Sequence, residues 1–319
     1  MSKLRLLYMI RLMTDKSSKI IVTGGAGFIG SNLVDGLVNE GYSNIHVIDN
    51  LVAGKEEYVN PSAQLHKLDI RDFDAIVPIF QGARFVFHLA ALPRVQPSIL
   101  DPRTTHDVNV TGTLNVFLAA RDGGVRRVIY SASSSAYGDQ KTLPLKEEME
   151  ACPQSPYGLQ KYEGELLARL FSELYGLETV SLRYFNVYGP RAASDGAYAL
   201  VIAIFLNQRK KGEPMTIVPD GTQSRDYTHV SDVVRANILA ATSSNVGKGE
   251  VINIGGGHNR TVLEVAKFIG GPTVFIEHRI EPKHTFADIS LAKNLLGWEP
   301  QVKFEEGIQE LKKMYDLTD

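Results

Sequence analysis

Tyr157 and Lys161 stand four residues apart, just after Ser155-Pro156. Serine followed by proline reads as an N-cap and a first helical position. Both side chains then leave one face of a helix, a turn apart. A free phenol has a pKa near ~10, so only about one in a thousand is ionised at neutral pH. One close positive charge lowers an acid by roughly 1–3 units. The Lys161 ammonium, helped by a second cation, would bring Tyr157 into the range where a general base works best. Ser133, in the run Ser131-Ala132-Ser133-Ser134-Ser135, is placed to hydrogen-bond the same substrate oxygen. The same residues also fit a plain amphipathic helix and a polar turn.

The N-terminal half suggests where the second cation comes from. Lys19–Thr23 reads as a buried parallel strand running into Gly24-Gly25-Ala26-Gly27-Phe28-Ile29-Gly30. A helix follows over Ser31–Glu40, with Gly41 as terminator, and then a strand at Ile45–Ile48. Gly24 allows a tight turn, Gly27 lets the backbone approach a pyrophosphate, and Gly30 permits close helix–strand packing. The helix N-terminus presents free N–H groups to an anion. Asp49 follows Gly30 by 19 positions, where an acid accepts hydrogen bonds from an adenosine ribose and repels a 2′-phosphate. The expected cofactor is therefore NAD, whose oxidised nicotinamide is the second cation. Phe28, Ile29 and Asn50 belong to the same expected cofactor contacts. Strands at Gln64–Leu68 and Phe85–Leu89 end beside Asp69-Ile70, which would reach adenine, and beside Leu89-Ala90-Ala91, small enough for the cofactor to pass.

A helix at Asp107–Arg121 and a strand at Arg127–Tyr130 continue the alternation, which predicts an α/β doubly wound parallel sheet. The 319 residues suffice for a full core, and 44% hydrophobic with 22% charged residues is an ordinary globular composition. A net charge of −2 gives no electrostatic case for nucleic acid or an anionic membrane. No apolar run reaches the about 20 residues that span a bilayer. A single cysteine, Cys152, excludes an intramolecular disulfide and fits a reducing, cytoplasmic setting. The eight histidines show no metal-ligand spacing, so no metal is expected. Residues 1–18 read as an extension without a signal peptide, with Met13 an alternative start.

These features together resemble the extended short-chain dehydrogenase/reductase family, in particular its nucleotide-sugar epimerases and dehydratases. The resemblance runs from Lys19 onward. It rests on the glycine turn, Tyr157 with Lys161, Arg183-Tyr184-Phe185-Asn186-Val187-Tyr188-Gly189-Pro190, and Arg225-Asp226-Tyr227 with Val230 and Asp232. It implies a Rossmann-type sheet at 19–182, joined by 223–255, and a smaller α/β substrate-binding domain from 183–222 and 256–319. It makes Ser133 the hydroxyl partner, with Ser134 the second candidate. Asn186, Arg225 and Arg279 would hold a diphosphate, Glu281 a uridine ribose, and Tyr184 the nicotinamide side. Dehydratases of the family look like Thr-Asp-Glu where this chain has Ser133-Ser134-Ser135, and decarboxylating relatives carry Glu at position 135. Without those acids, epimerisation at C4 by tightly bound NAD is the implied reaction, through a 4-keto sugar. Thr285 stands where glucose-restricted members look to have tyrosine, and Gly196-Ala197-Tyr198-Ala199 resembles the N-acetylhexosamine branch. UDP-GlcNAc/UDP-GalNAc interconversion, with UDP-glucose as a further substrate, is the expected activity. Val218 departs from the aromatic that many relatives stack on uracil. A UDP-glucuronate 4-epimerase, with Arg94 or Arg191 as the extra cation, and a non-catalytic NAD or nucleotide-sugar sensor are the alternatives. Surplus apolar residues at Leu114, Phe117, Leu166, Leu170 and Leu174 suggest a homodimer through helix packing.

Overall fold

The computed structural model describes residues 15–196, 199–277 and 284–317. Arg279 and Glu281, and Ala197-Tyr198 of the Gly196–Ala199 segment, lie outside the described residues. The first half alternates, with only a one-turn 3-10 helix (Glu56–Tyr58) between its second and third strands. Strands β1 (Ile20–Thr23), β2 (Ile45–Ile48), β3 (Gln64–His66), β4 (Phe85–His88), β5 (Arg127–Ser133) and β6 (Glu178–Tyr184) are separated by helices. These are α1 (Phe28–Asn39), α2 (Phe73–Phe80), α3 (Val95–Leu100), α4 (Pro102–His106), a π-helical turn (Asp107–Gly112) running into α5 (Thr113–Asp122), and α6 (Pro156–Tyr175). The rest comprises β7 (Val187–Tyr188), α7 (Val201–Lys210), β8 (Met215–Ile217), β9 (Ser224–Asp226), β10 (Thr228–His229) and α8 (Val230–Thr242). It continues with β11 (Glu250–Ile254), β12 (Asn259–Thr261), α9 (Val262–Ile269), β13 (Thr273–Phe275), α10 (Ser290–Leu296) and α11 (Phe304–Met314).

Seven parallel strands form one sheet in the order β11-β6-β5-β4-β1-β2-β3. Strand β1 is buried along its whole length, as a strand covered on both faces must be. On one face Leu33, Val34 and Leu37 of α1 pack with Val233, Ala236 and Ala240 of α8. On the other, α2, α5 and α6 contribute Ile76, Phe80, Val116, Phe117, Ala168 and Phe171. The strand order reverses between β1 and β4, so their C-terminal ends open the crevice where such sheets bind ligands. A smaller core under the paired strands β8–β13 and β9–β12 joins α7, α9 and α11.

Several boundaries differ from expectation. Strand β5 runs on through Ser133, because Ser131, Ala132 and Ser133 pair with Leu182, Arg183 and Tyr184 of β6. The first serines thus sit on a strand end, and only Ser134–Ala136 form a turn. Strand β3 stops at His66, where the Leu68 N–H donates back to the His66 carbonyl at 2.9 Å. Phe117 belongs to the core and not to an outer face: its ring lies 6.2 Å from Tyr130 and 5.3 Å from Phe171.

His88 ends β4 and joins three elements. Its ring nitrogens hydrogen-bond Thr23 Oγ1 at 2.7 Å and Thr113 Oγ1 at 3.0 Å. Burial, with the Lys161 charge nearby, pulls its pKa down to about 3. An unfolded histidine titrates near ~6.5, so this group's contribution to stability is complete above that pH and is lost as pH falls toward 3. The loss is about 2 kcal/mol by pH 5. The Tm advantage of the parent over His88→Gln should therefore shrink between pH 7.5 and pH 5. Parallel Tm curves would contradict this.

Candidate active site

The glycine turn closes on steric grounds. Gly24 has φ of +71°, and a Cβ there would lie 2.7 Å from the Ala90 amide nitrogen, where β4 ends. A Cβ on Gly30 would come within 2.1 Å of the Gly24 carbonyl oxygen. A Cβ on Gly27 would meet only that oxygen, at 3.3 Å, and otherwise point into open space. Helix α1 has no side-chain cap and no acidic residue in its first turn, which suits an anion at its N-terminus. Asp49 follows β2, accepting N–H bonds from Ala26 at 3.0 Å and Leu51 at 2.8 Å. A carboxylate has about four acceptor positions, so ribose-binding capacity remains. Leu89 and Ala90 are tied to Thr23 through their amides, at 3.1 and 3.3 Å, and Ala91 follows in the same crevice. Asn50 donates to Asp69 at 2.8 Å, and Arg71 grips Asp69 at 3.0 and 2.9 Å. The Arg71 hydrogen bonds hold the Asp69 carboxyl down at about 2. Ile70 is buried, and a Cβ on Gly112 would meet its side chain at 2.7 Å. These residues fit a dinucleotide laid across the ends of β1, β2 and β4.

The second cluster lies at the end of β5. Helix α6 opens with Ser155 Oγ accepting the Gly158 N–H at 3.1 Å and with Pro156 at the first position. The Tyr157 N–H donates to Ser98 Oγ of α3 at 3.0 Å, which fixes the helix start sideways. Ser133 Oγ takes the Ser135 hydroxyl at 2.8 Å and lies near enough to the Tyr157 phenol to lower it; Ser134 follows in the turn. Lys161, one helical turn on, donates from Nζ to the Ser131 carbonyl at 2.8 Å and lies 5.1 Å from the Tyr130 ring centroid. Burial lowers its pKa to about 8, and the Glu165 carboxylate acts in the opposite sense. Burial raises the Tyr157 phenol above its usual value, while the Ser133 hydrogen bond and then the Arg94 charge lower it. The Lys161 ammonium is anchored on the Ser131 carbonyl, and a second cation, Arg94 at φ +94°, also acts on Tyr157. Arg191, the other cation considered, pairs with Asp35 of α1 at 2.7 Å.

A third group lies where β6 leaves the sheet. Tyr184 directs its hydroxyl to Asn237 at 2.9 Å within the core beside Ser131. Asn186 Nδ2 donates to Thr285 Oγ1 at 3.1 Å, and the Asp226 N–H donates to the same oxygen at 3.3 Å. Thr285 is therefore built into the cluster. Asp226 is fully buried and accepts the amides of Gly256 at 2.6 Å and Ala287 at 3.0 Å. Burial pushes its pKa up to about 7 against those hydrogen bonds. This staple brings β9, the chain after β11 and the segment of Thr285 to one place, beside Arg225. Ala199 sits just before α7, donating to Gly196 at 3.4 Å. Asp232 is structural, receiving the amides of Gln301 and Val302. Sequence reasoning missed Ser98, the Asp226 staple and Glu165. Only Glu165 left a signal, four residues after Lys161 on the same helix. Among the described residues no cluster of three or more potential ligands suits a metal, and no helix is long and apolar enough to cross a membrane.

Sheet, glycine turn and strand-end cluster define a dinucleotide-dependent enzyme. The chain belongs to the NAD dependent epimerase/dehydratase family, whose model matches residues 20–255. NAD is the cofactor of this family and is bound in solved relatives. The chain is 38% identical to a putative UDP-glucose 4-epimerase of Methanocaldococcus jannaschii, over 91% of this chain and 96% of that one. It is 36% identical to a UDP-glucuronate 4-epimerase of Thermodesulfobacterium geofontis, over 91% and 93%. Its structure matches a UDP-N-acetylglucosamine 4-epimerase of Methanobrevibacter ruminantium, solved with UDP-N-acetylmuramic acid, with a TM-score of 0.88 at 37% identity, over 94% and 98%.

Two glycine substitutions separate binding from folding. Gly27→Ala should fold with a near-parental Tm but retain at least about tenfold less NAD, read by absorbance of the nucleotide released on denaturation. Gly30→Ala should instead lose thermal stability, because its Cβ strikes backbone. Full NAD retention in Gly27→Ala would argue against a pyrophosphate at this turn.

Proposed function

We propose that the enzyme interconverts UDP-GlcNAc and UDP-GalNAc at C4, with UDP-glucose and UDP-galactose as further substrates. The observation that carries this reading is the placing of Tyr157 near the Ser133 hydroxyl and buried Lys161, in a site with serine at 133, 134 and 135. A phenol–hydroxyl pair serves proton transfer to and from an alcohol. Elimination of water would want a further acid and base, and no carboxylate stands at those three positions.

Bound NAD supplies the acceptor and donor for the C4 hydride. Tyr157 Oη takes the proton from the 4-hydroxyl, and Ser133 Oγ holds that oxygen in line. Lys161, anchored on Ser131, stabilises the negative charge that develops on the phenol side. Between the two transfers the 4-keto sugar must present its other face. That requires a firm grip on the diphosphate, here assigned to Asn186 and Arg225, and a looser grip on the sugar. Thr285 occupies little volume at the sugar end, which leaves room for a 2-acetamido group. A second reading, a UDP-glucuronate 4-epimerase, is favoured by the Arg94 charge acting on Tyr157, because a sugar carboxylate would find a cation there. We also propose a homodimer: Leu159, Leu170 and Leu174 form an exposed stripe on α6, with Ile99 and Leu100 exposed on α3.

A panel of UDP-hexoses and UDP-glucuronate, incubated without added cofactor and resolved by NMR, tests the reading. UDP-GlcNAc should yield UDP-GalNAc, and Tyr157→Phe should lower kcat at least about a thousandfold. Turnover of UDP-glucuronate alone would favour the second reading. Thr285→Tyr should reduce kcat/KM for the N-acetyl pair at least about tenfold while UDP-glucose stays within about threefold. Equal losses would remove the gate.

A further inference from the structure

Helix α6 carries a third ionisable side chain on the face of Tyr157 and Lys161. Glu165 lies one turn beyond Lys161 and is as deeply buried, its side chain only 2% exposed. Arg183 of β6, 4% exposed, grips it with two hydrogen bonds: Nε to Oε1 at 2.8 Å and Nη2 to Oε2 at 2.7 Å. The Arg183 guanidinium also lies 4.4 Å from the Tyr137 ring centroid. The order Lys161, Glu165, Arg183 is a buried row of positive, negative and positive charge. A bidentate pair so deep is commonly neutral for stability relative to apolar residues of the same volume. Tying α6 to β6 is therefore a weak explanation for it.

Among the described residues, one negative charge acts on Lys161. Strand β5 presents the neutral Tyr130 ring and the Ser131 carbonyl. Strand β4 presents His88, which is neutral because burial holds its pKa near 3. Strand β6 presents Arg183, whose charge is matched by Glu165, and the Tyr184 phenol, raised by burial, through Ser131. On α6 itself stand Tyr157 and Glu165. Of these, Glu165 is the group whose charge favours the ammonium, and the two act on each other reciprocally.

We propose that Glu165, held in place by Arg183, is a positioning residue of the catalytic pair, keeping buried Lys161 in its ammonium form across the working pH range. Arg183 pins the carboxylate in one orientation and keeps it ionised where burial alone would neutralise it. The enzyme then tolerates a desolvated lysine beside the reacting phenol without the lysine losing its proton. The inference rests on the reading of Tyr157 and Lys161 as the reacting pair.

The test compares full-length holoenzyme with Glu165→Gln, which keeps a hydrogen bond to Arg183 and removes the charge. Protein labelled with 13C at lysine Cε is titrated by NMR, and Lys161 is assigned by the signal missing in Lys161→Met. Lys161 should lose its proton at least about one pH unit lower in Glu165→Gln than in the parent, the size expected for loss of a neighbouring charge. The alkaline limb of kcat/KM should move down with it. Glu165→Asp, which keeps the charge, should restore most of the shift and decides the matter if Glu165→Gln does not fold. Identical Lys161 titration with superimposable scaled pH profiles would overturn the proposal and leave the pair a structural tie. If the parent turned over no UDP-hexose, the functional reading would fail, while the NMR titration would still decide this one.

Discussion

Everything in the site depends on a lysine taken out of water. Lys161 is 4% exposed, and a lone ammonium so placed would shed its proton. The fold answers with a strand carbonyl and one carboxylate, and each needs its own support. The carbonyl belongs to Ser131 because β5 continues past Tyr130, pairing with β6 as far as Ser133. The carboxylate belongs to a helix whose start is pinned by Ser98 and whose middle is gripped by β6. Sheet register, helix placement and proton chemistry are thus one constraint seen at three scales.

The same logic governs the other end of the crevice. The three groups that the sequence places far apart, Asn186, Arg225 with Asp226, and Thr285, meet because one buried carboxylate collects amides from segments 30 and 61 residues downstream of it. Its partners are all backbone donors, so the staple fixes chain paths, and the Asn186 and Thr285 side chains beside it bond each other. The dinucleotide end is built oppositely, from the omission of side chains at Gly24, Gly27 and Gly30.

This contrast explains what could be read from the chain alone. The glycine turn and the Tyr157–Lys161 spacing are local: a strand, a tight turn, a helix face, each encoded within a few residues. Ser155 and Pro156 announced their helix for the same reason. Ser98 touching the Tyr157 amide, Arg183 gripping Glu165 and Asp226 reaching Ala287 are products of tertiary folding, and no periodicity marks them. Phe117 misled because α5 is flanked by both α2 and α6, so it buries a wider arc than a one-sided helix would. The Ser131 carbonyl that anchors Lys161 was not legible because spacing gives the face of a helix but not where a flexible four-carbon stem ends.

The π-helical turn at Asp107–Gly112 adds one residue to a helical circuit. It is there that Asn109 faces inward, donating to Gln160 of α6 at 2.8 Å and exchanging hydrogen bonds with Leu92 at 2.7 and 3.0 Å. Each residue in an α-helix advances about 100° around the axis. Losing the inserted residue would swing Asn109 away by that angle and break its bridge between α6 and the loop leaving β4. The bulge therefore acts as a phase shifter: it lets one continuous rod obey the sheet's packing at its far end and serve the crevice at its near end.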